Sequence, residues 1–288
     1  MVEFEVKGHE HSLLPEGKKW KLVFSDEFDG EKLDESKWSY RLDYWGERFA
    51  AYTDKGVYLD GKSNAVFKPV FEDGCLRSSQ LQTGGNSFDQ LNFEAIQNRI
   101  NKKHGDNPWK DEIEMWPLKP LGKPKFMHRF GYYEARVKFQ KLNFWWSAFW
   151  LQSPSIGAAY NPALCGVEND VIENFGNGEL TSGNIYGGYG KQFQEAARVR
   201  YPFVNDGEYH RVGMEWSKDG YVFYLDGKET ARTSSPVSEV EQFILISTEV
   251  QGYRRNAATA ECTEEVMADR FYVCLLYTSP SPRDRQKS

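Results

Sequence analysis

Six Asp-Gly dipeptides, at Asp29, Asp60, Asp73, Asp206, Asp219 and Asp226, punctuate the chain. Asp-Gly is a hairpin and turn signal because glycine tolerates positive φ. Short β-rich runs lie between these turns: Trp20 to Phe24, Phe130 to Phe139, Trp145 to Leu151, Tyr209 to Trp216, Gly220 to Leu225 and Phe243 to Val250. In the second run Tyr133, Ala135, Val137 and Phe139 alternate with Tyr132, Glu134, Arg136 and Lys138, the period-two pattern of a strand with two unlike faces. No amphipathic helix of comparable length competes. Many short strands with frequent turns read as an all-β sandwich or barrel in one domain. The polar, proline-containing stretch from Gln97 to Lys125 has no periodicity and is expected to be a long surface loop.

The bulk numbers then remove whole classes of function. A formal net charge of −6 argues against nucleic acid, whose binding rests on a basic footprint. No apolar run is long enough to span a bilayer, so no membrane partner is expected. Residues 1–20 lack the charged-then-apolar layout of a signal peptide. The four cysteines, Cys75, Cys165, Cys262 and Cys274, show neither metal-ligand spacing nor a disulfide framework. Nine Trp, sixteen Tyr and nineteen Phe exceed what a core alone needs, and flat apolar rings suit the C–H faces of pyranose sugars. The five histidines carry no zinc spacing, so no metal ligands are assigned.

The segment Cys274 to Ser288 breaks with everything before it. Its composition fits a flexible Ser/Pro tail. Reverse-translated, its first eleven residues can also be spelled by a transposase-type sequencing-adapter oligonucleotide. The domain reading is therefore a catalytic domain over 1–273, truncated at its C-terminal end and lacking its last strand, followed by a non-native tail over 274–288.

The most informative stretch is Gly166-Val167-Glu168-Asn169-Asp170-Val171-Ile172-Glu173-Asn174-Phe175-Gly176. On a helix Glu168, Asp170 and Glu173 fan around the axis. On a regular strand Glu168 and Asp170 share a face while Glu173 points away. One β-bulge near Val171 and Ile172 returns Glu173 to their side, and bulges recur beside active sites. Crowded carboxylates raise at least one pKa, which supplies a protonated acid next to an ionised nucleophile. That is the pair a retaining glycosidase needs. Taken alone, such a triplet is more often a solvated acidic edge or a cation site.

The triplet and its flanks resemble glycoside hydrolase family 16, the laminarinase, lichenase, agarase and carrageenase family. Four further segments follow in that family's order: Trp20 to Gly30 with Leu33-Asp34 and Lys37-Trp38; Phe130 to Arg136; Trp146 to Leu151; and Tyr209-His210, Glu215-Trp216 and Phe223 to Lys228. The resemblance implies a concanavalin-like jelly-roll of two curved antiparallel sheets, with an open substrate cleft on the concave face. It implies Glu168 as nucleophile, Glu173 as acid/base, and Asp170 as the hydrogen-bonding neighbour of Glu168. Trp146, Trp150, Trp116, Tyr186 and Arg48 are the candidate substrate-binding residues. No cofactor is required, although the family allows a structural calcium near Glu27 and Gly30.

Several positions depart from the family. Asn169 stands where an apolar residue is usual, and needs a partner between the sheets. Ser147 replaces a frequent Pro, and Asn184-Ile185-Tyr186 replaces a segment that carries His. The family's last strand reads D-Y-V-R-V, which the tail displaces after Val273. The expected activity is endo-acting, retaining hydrolysis of a β-linked polysaccharide, foremost a β-1,3- or β-1,3/1,4-glucan. A β-galactan hydrolase of the agar, porphyran or carrageenan type, a transglycosylase, and a non-catalytic carbohydrate-binding sandwich are the alternatives. A monomer acting outside the cell or in the periplasm completes the expectation.

Overall fold

The chain alternates strands and turns through most of its length, and in the computed structural model fifteen strands assemble into two antiparallel sheets. The structure describes residues 8–44, 47–91, 118–159, 161–175, 179–186, 194–201, 205–234, 236–250 and 262–279. In chain order the strands begin with β1 (Phe24–Asp26), β2 (Ser39–Tyr40), β3 (Val57–Leu59), β4 (Ala65–Phe67) and β5 (Gln80–Gln82). The long strands follow as β6 (Gly131–Lys138), β7 (Trp145–Gln152), β8 (Glu168–Asn174), β9 (Leu180–Tyr186) and β10 (Gln194–Tyr201). The last five are β11 (His210–Ser217), β12 (Gly220–Leu225), β13 (Lys228–Thr233), β14 (Phe243–Val250) and β15 (Phe271–Ser279). One sheet is ordered β13-β12-β11-β6-β15-β4-β3, with β1 also on β15, and the other β10-β9-β8-β7-β14-β5-β2.

The expected alternation decides which faces meet. Tyr133, Ala135 and Val137 of β6, with Met214, Trp216 and Phe223, pack from the first sheet against Phe149, Leu151, Val171, Ile172, Ile244 and Ile246 of the second. The turn-rich sequence predicts a sandwich or barrel, and the result is the jelly-roll sandwich that the family resemblance implies. Two Asp-Gly turns show the mechanism: Asp73-Gly74 (φ 52° and 76°) and Asp226-Gly227 (φ 49° and 75°) place both central residues at positive φ. That is the primed hairpin turn, whose twist matches the strands it joins. The outer side of β6 is covered by residues 8–22, where the Leu13 amide donates to Glu134 Oε2 at 2.9 Å and Trp20 packs on Tyr132.

The structure departs from the expectation that the sheet lacks its last strand. Phe271–Ser279 form one continuous strand between β6 on one side and β1 and β4 on the other. Cys274 is bulged, because Arg136 faces Leu275 while Val137 faces Val273. The bulge resets the strand's parity, so that Val273 and Leu276 both enter the core, while Cys274, Leu275 and Tyr277 pack outward on Leu14, Leu22 and Tyr209.

The buried polar residue between the sheets finds its partners. Asn184 Nδ2 donates to Asn169 Oδ1 at 2.6 Å, and Asn169 Nδ2 donates to Gln242 Oε1 at 2.5 Å. The two departures from the family pattern, at 169 and 184, thus complete each other across paired strands. Asn169→Ala is expected to strand the Asn184 donor and the Gln242 acceptor. It should lower stability by about 1–3 kcal/mol, read as a reduced urea midpoint at unchanged m.

Candidate active site

Strand β8 is held on both sides, by β7 and by β9. Its register slips where the sequence predicts a bulge. Ile172 faces Phe149 and Asp170 faces Trp150, leaving Val171 extra; on the other side Asp170 faces Gly183 and Glu173 faces Thr181. Val171 and Ile172 therefore both turn into the core, and Glu168, Asp170 and Glu173 share the opposite face. A strand without the bulge would bury Glu173 between the sheets. This face also carries Trp146, Ala148 and Trp150 of β7 and Ser247 and Glu249 of β14, by their register.

The four carboxylates of the face are almost withdrawn from water, with relative exposures of 7% for Glu168, 4% for Asp170, 8% for Glu173 and 7% for Glu249. Glu168 Oε2 accepts a hydrogen bond from Gln152 Nε2 at 2.7 Å. Glu173 Oε2 has Thr181 Oγ1 at 3.4 Å. Burial, and after it the charge of Glu168, pushes the Glu173 carboxyl up to about 8, against the opposing pull of Arg198. Burial thus favours the protonated form of Glu173. The face can present one acid and one negatively charged oxygen side by side, which is the requirement for double displacement at a glycosidic carbon.

A polar network adjoins the carboxylates on this face. Arg41 clamps Asp89 with two hydrogen bonds of 2.7 and 2.9 Å and donates to Gln80 Oε1 at 3.1 Å. Gln80 Nε2 in turn donates to Glu249 Oε1 at 2.7 Å and to the Tyr52 hydroxyl at 2.8 Å. The Arg41 guanidinium lies 5.3, 5.4 and 6.0 Å from the rings of Tyr44, Phe88 and Trp150.

The other sequence candidates fall in different places. Trp150 is on the carboxylate face but 7% exposed, and its Nε1 donates to Ser247 Oγ at 2.9 Å; it forms floor. Trp146 is half-buried on the same face, beside the Phe175 ring at 5.0 Å. Arg48 is exposed on a small hairpin, Asp43–Tyr44 with Glu47–Arg48. Tyr186 is half-buried at the end of β9, next to Ile185, which faces Glu168, while Asn184 faces Asn169. Trp116 lies outside the described residues. Sequence reasoning missed Gln152, Thr181, Ser247 and Glu249. Alternation within Phe243–Val250 could have found Glu249, since Ile244 and Ile246 take the core side. Arg41, Asn86 and Asp89 come from turns and carry no such local signal.

Calcium does not fit. After Val273, where the family has Asp, this chain has Cys274, and Arg136 Nη1 donates to its Sγ at 3.0 Å. Asp26, beside the candidate loop, is engaged by Trp38 Nε1 at 2.7 Å, the Phe28 amide at 3.0 Å and Lys37 Nζ at 3.6 Å. A thiol under a guanidinium and a carboxylate beside an ammonium do not build the hard oxygen shell that Ca²⁺ takes. Among the described residues no three His, Cys, Asp or Glu side chains converge on a metal position.

A two-sheet sandwich with a bulged strand bearing three carboxylates on its outer face is the architecture of a glycoside hydrolase. The pattern of glycosyl hydrolases family 16 matches residues 118–252 of the chain. Glucan endo-1,3-beta-glucosidase A1 of Niallia circulans is 25% identical over 216 residues, 72% of this chain and 28% of that protein. The chain thus spans little more than a quarter of that relative's length. Beta-porphyranase B of Zobellia galactanivorans is 22% identical over 256 residues, 80% of this chain and 74% of that protein. The catalytic domain of an endo-1,3-beta-glucanase (laminarinase) from Thermotoga petrophila superposes with a TM-score of 0.62 at 19% identity, covering 92% of this chain and 99% of that one.

Proposed function

We propose that the protein is an endo-acting, retaining hydrolase of a β-linked polysaccharide, with β-1,3- or β-1,3/1,4-glucan as the leading substrate. The observation that carries this reading is the bulge of β8, which puts Glu168, Asp170 and Glu173 on one face while burial keeps a proton on Glu173. In the first step Glu168 attacks the anomeric carbon as Glu173 gives its proton to the departing glycosidic oxygen. The product is a glycosyl ester on Glu168. In the second step Glu173, now a carboxylate, takes a proton from water, and the hydroxide so formed attacks the same carbon and releases Glu168. Asp170 lies on the same side of β8 as Glu168. Trp146 is the ring placed to stack on a sugar.

A β-galactan reading is supported by one observation. Porphyranase relatives align over 74% and 80% of their own length, against 28% for the glucanase relative. A polymer of either kind does not cross a membrane, which supports action outside the cytoplasm. No helix among the described residues is long and apolar enough to cross a membrane.

The test is product analysis with laminarin, mixed-linkage glucan, agarose, porphyran and carrageenan, with the anomeric form of the first product read by NMR. Oligosaccharides from one polymer, released first as the β anomer, are the expected result. First products of the α form would replace double displacement by inversion. No product from any polymer, with a cooperatively folded protein, would leave a carbohydrate-binding sandwich.

A further inference from the structure

Beside the outward carboxylates, on the same side of the sheet, lies a run of hydrogen bonds whose direction is dictated from one end. The Asp89 main-chain N–H donates to Asn86 Oδ1 at 2.9 Å. Asn86 Nδ2 donates to Gln152 Oε1 at 2.8 Å. Gln152 Nε2 donates to Glu168 Oε2 at 2.7 Å. A side-chain amide has a donor end and an acceptor end, and either can face a neighbour. A backbone N–H cannot be reversed, so it fixes Asn86, and Asn86 fixes Gln152. Gln152 and Asn86 are 0% and 1% exposed, so water does not scramble the order. The starting turn, Phe88–Gln90, is itself anchored by the Arg41 clamp on the Asp89 carboxylate.

The consequence falls on the sharing of one proton. A hydrogen bond donated to a carboxylate favours its charged form. Glu168 receives such a bond from an oriented amide, whereas Glu173 has a longer contact from the Thr181 hydroxyl. The other charged groups around the pair are Asp170 on the same strand, Glu249 from β14, Arg198 from the edge strand β10, and the Arg41–Asp89 pair behind the amides. We propose that Gln152, held in one orientation by Asn86, is a positioning residue that assigns the proton to Glu173 and leaves Glu168 ionised. This rests on the proposed roles of the two glutamates. It adds the reason that they are not interchangeable, although both sit on one strand and both are buried.

Without the amide donor the two carboxyls compete more evenly. Protein with the proton on Glu168 has no nucleophile, so activity is lost from the acid side first. The experiment is an NMR titration of protein carrying ¹³C-carboxyl glutamate, with Glu168→Gln and Glu173→Gln to assign the two signals. In the wild type the Glu168 signal is expected to titrate below that of Glu173. In Gln152→Met the Glu168 midpoint should rise by about one pH unit, the size of effect a hydrogen bond to a charged group has on its titration. The acid limb of kcat/KM should move with it. Asn86→Ala leaves Gln152 in place but free to turn, and should raise the same midpoint by a smaller amount; it also serves if Gln152→Met does not fold. A residue that only packs would lower the melting temperature and leave the midpoint alone. An unmoved Glu168 midpoint in a folded variant overturns the proposal, whether or not the protein cleaves glycans. Failure of the hydrolase reading shows separately, as absence of products from the wild type.

Discussion

Glu168→Ala is expected to lower turnover of the cleaved polysaccharide by roughly 10⁴-fold or more, the order of loss when the nucleophile is taken from a covalent mechanism. The reason lies in the first step, where no other group on the face can form the ester. Asp170 is two residues away on the same side, but strand rise sets it roughly 6–7 Å along the sheet, beyond the reach of a carbon already seated at Glu168. KM should change little, since the sugar is held by rings and hydroxyl contacts that the substitution leaves in place. The variant should also remain folded, because removing one of four neighbouring buried carboxylates relieves repulsion. Turnover within tenfold of wild type, measured as reducing ends from the same polymer, would transfer the nucleophile's role elsewhere.

Glu173→Gln should act in two opposite directions. Hydrolysis should fall by about 10²–10⁴-fold, the usual contribution of a general acid, and most for substrates whose leaving oxygen needs a proton. Stability should rise at alkaline pH. The folded-state pKa of Glu173, about 8, stands above its ordinary value of 4.5, so the folded protein holds a proton that the unfolded chain has released. Its contribution to stability is fully present below 4.5 and is lost as pH rises through 8, where the folded protein must carry a buried charge next to Glu168. Gln cannot ionise, so the variant escapes that loss, on the order of 5 kcal/mol at pH 9. Melting curves of the two proteins should diverge as pH is raised from 6 to 9, with the variant the more stable. Parallel curves would mean that Glu173 is ionised throughout, and the acid would have to be sought elsewhere.

The bulge shows how much of the site could be read in advance. The odd spacing between Asp170 and Glu173 is incompatible with one face of a regular strand, and a single extra residue is the smallest change that reconciles it. Register errors of one residue invert a strand's faces, so the apolar pair Val171 and Ile172 leaves little freedom over where the extra residue sits. For Tyr186 the sequence offers no such guide, because its face follows from pairing with β8 and not from its nearness in sequence to the site. The hydrogen bonds that link Glu168 to Glu249 were not legible, although the face of Glu249 was. Gln80 and Glu249 are 169 residues apart when they meet, and Arg41 and Asp89 are 48 apart.

Sequence by itself determined the strands, their inward and outward residues, the tight turns and the clustering of three carboxylates. These follow from backbone geometry, in which side chains alternate with period two and only certain residues reverse the chain cheaply. The tertiary structure alone decided which amide faces Glu168, which carboxyl keeps the proton, where Asn169 finds its partners, and how Phe271–Ser279 enters the first sheet. Those outcomes depend on the order of strands in a sheet and on loops that bring distant residues to one face. Nothing in a local stretch of sequence encodes that order, because it is selected by the burial of the whole core at once.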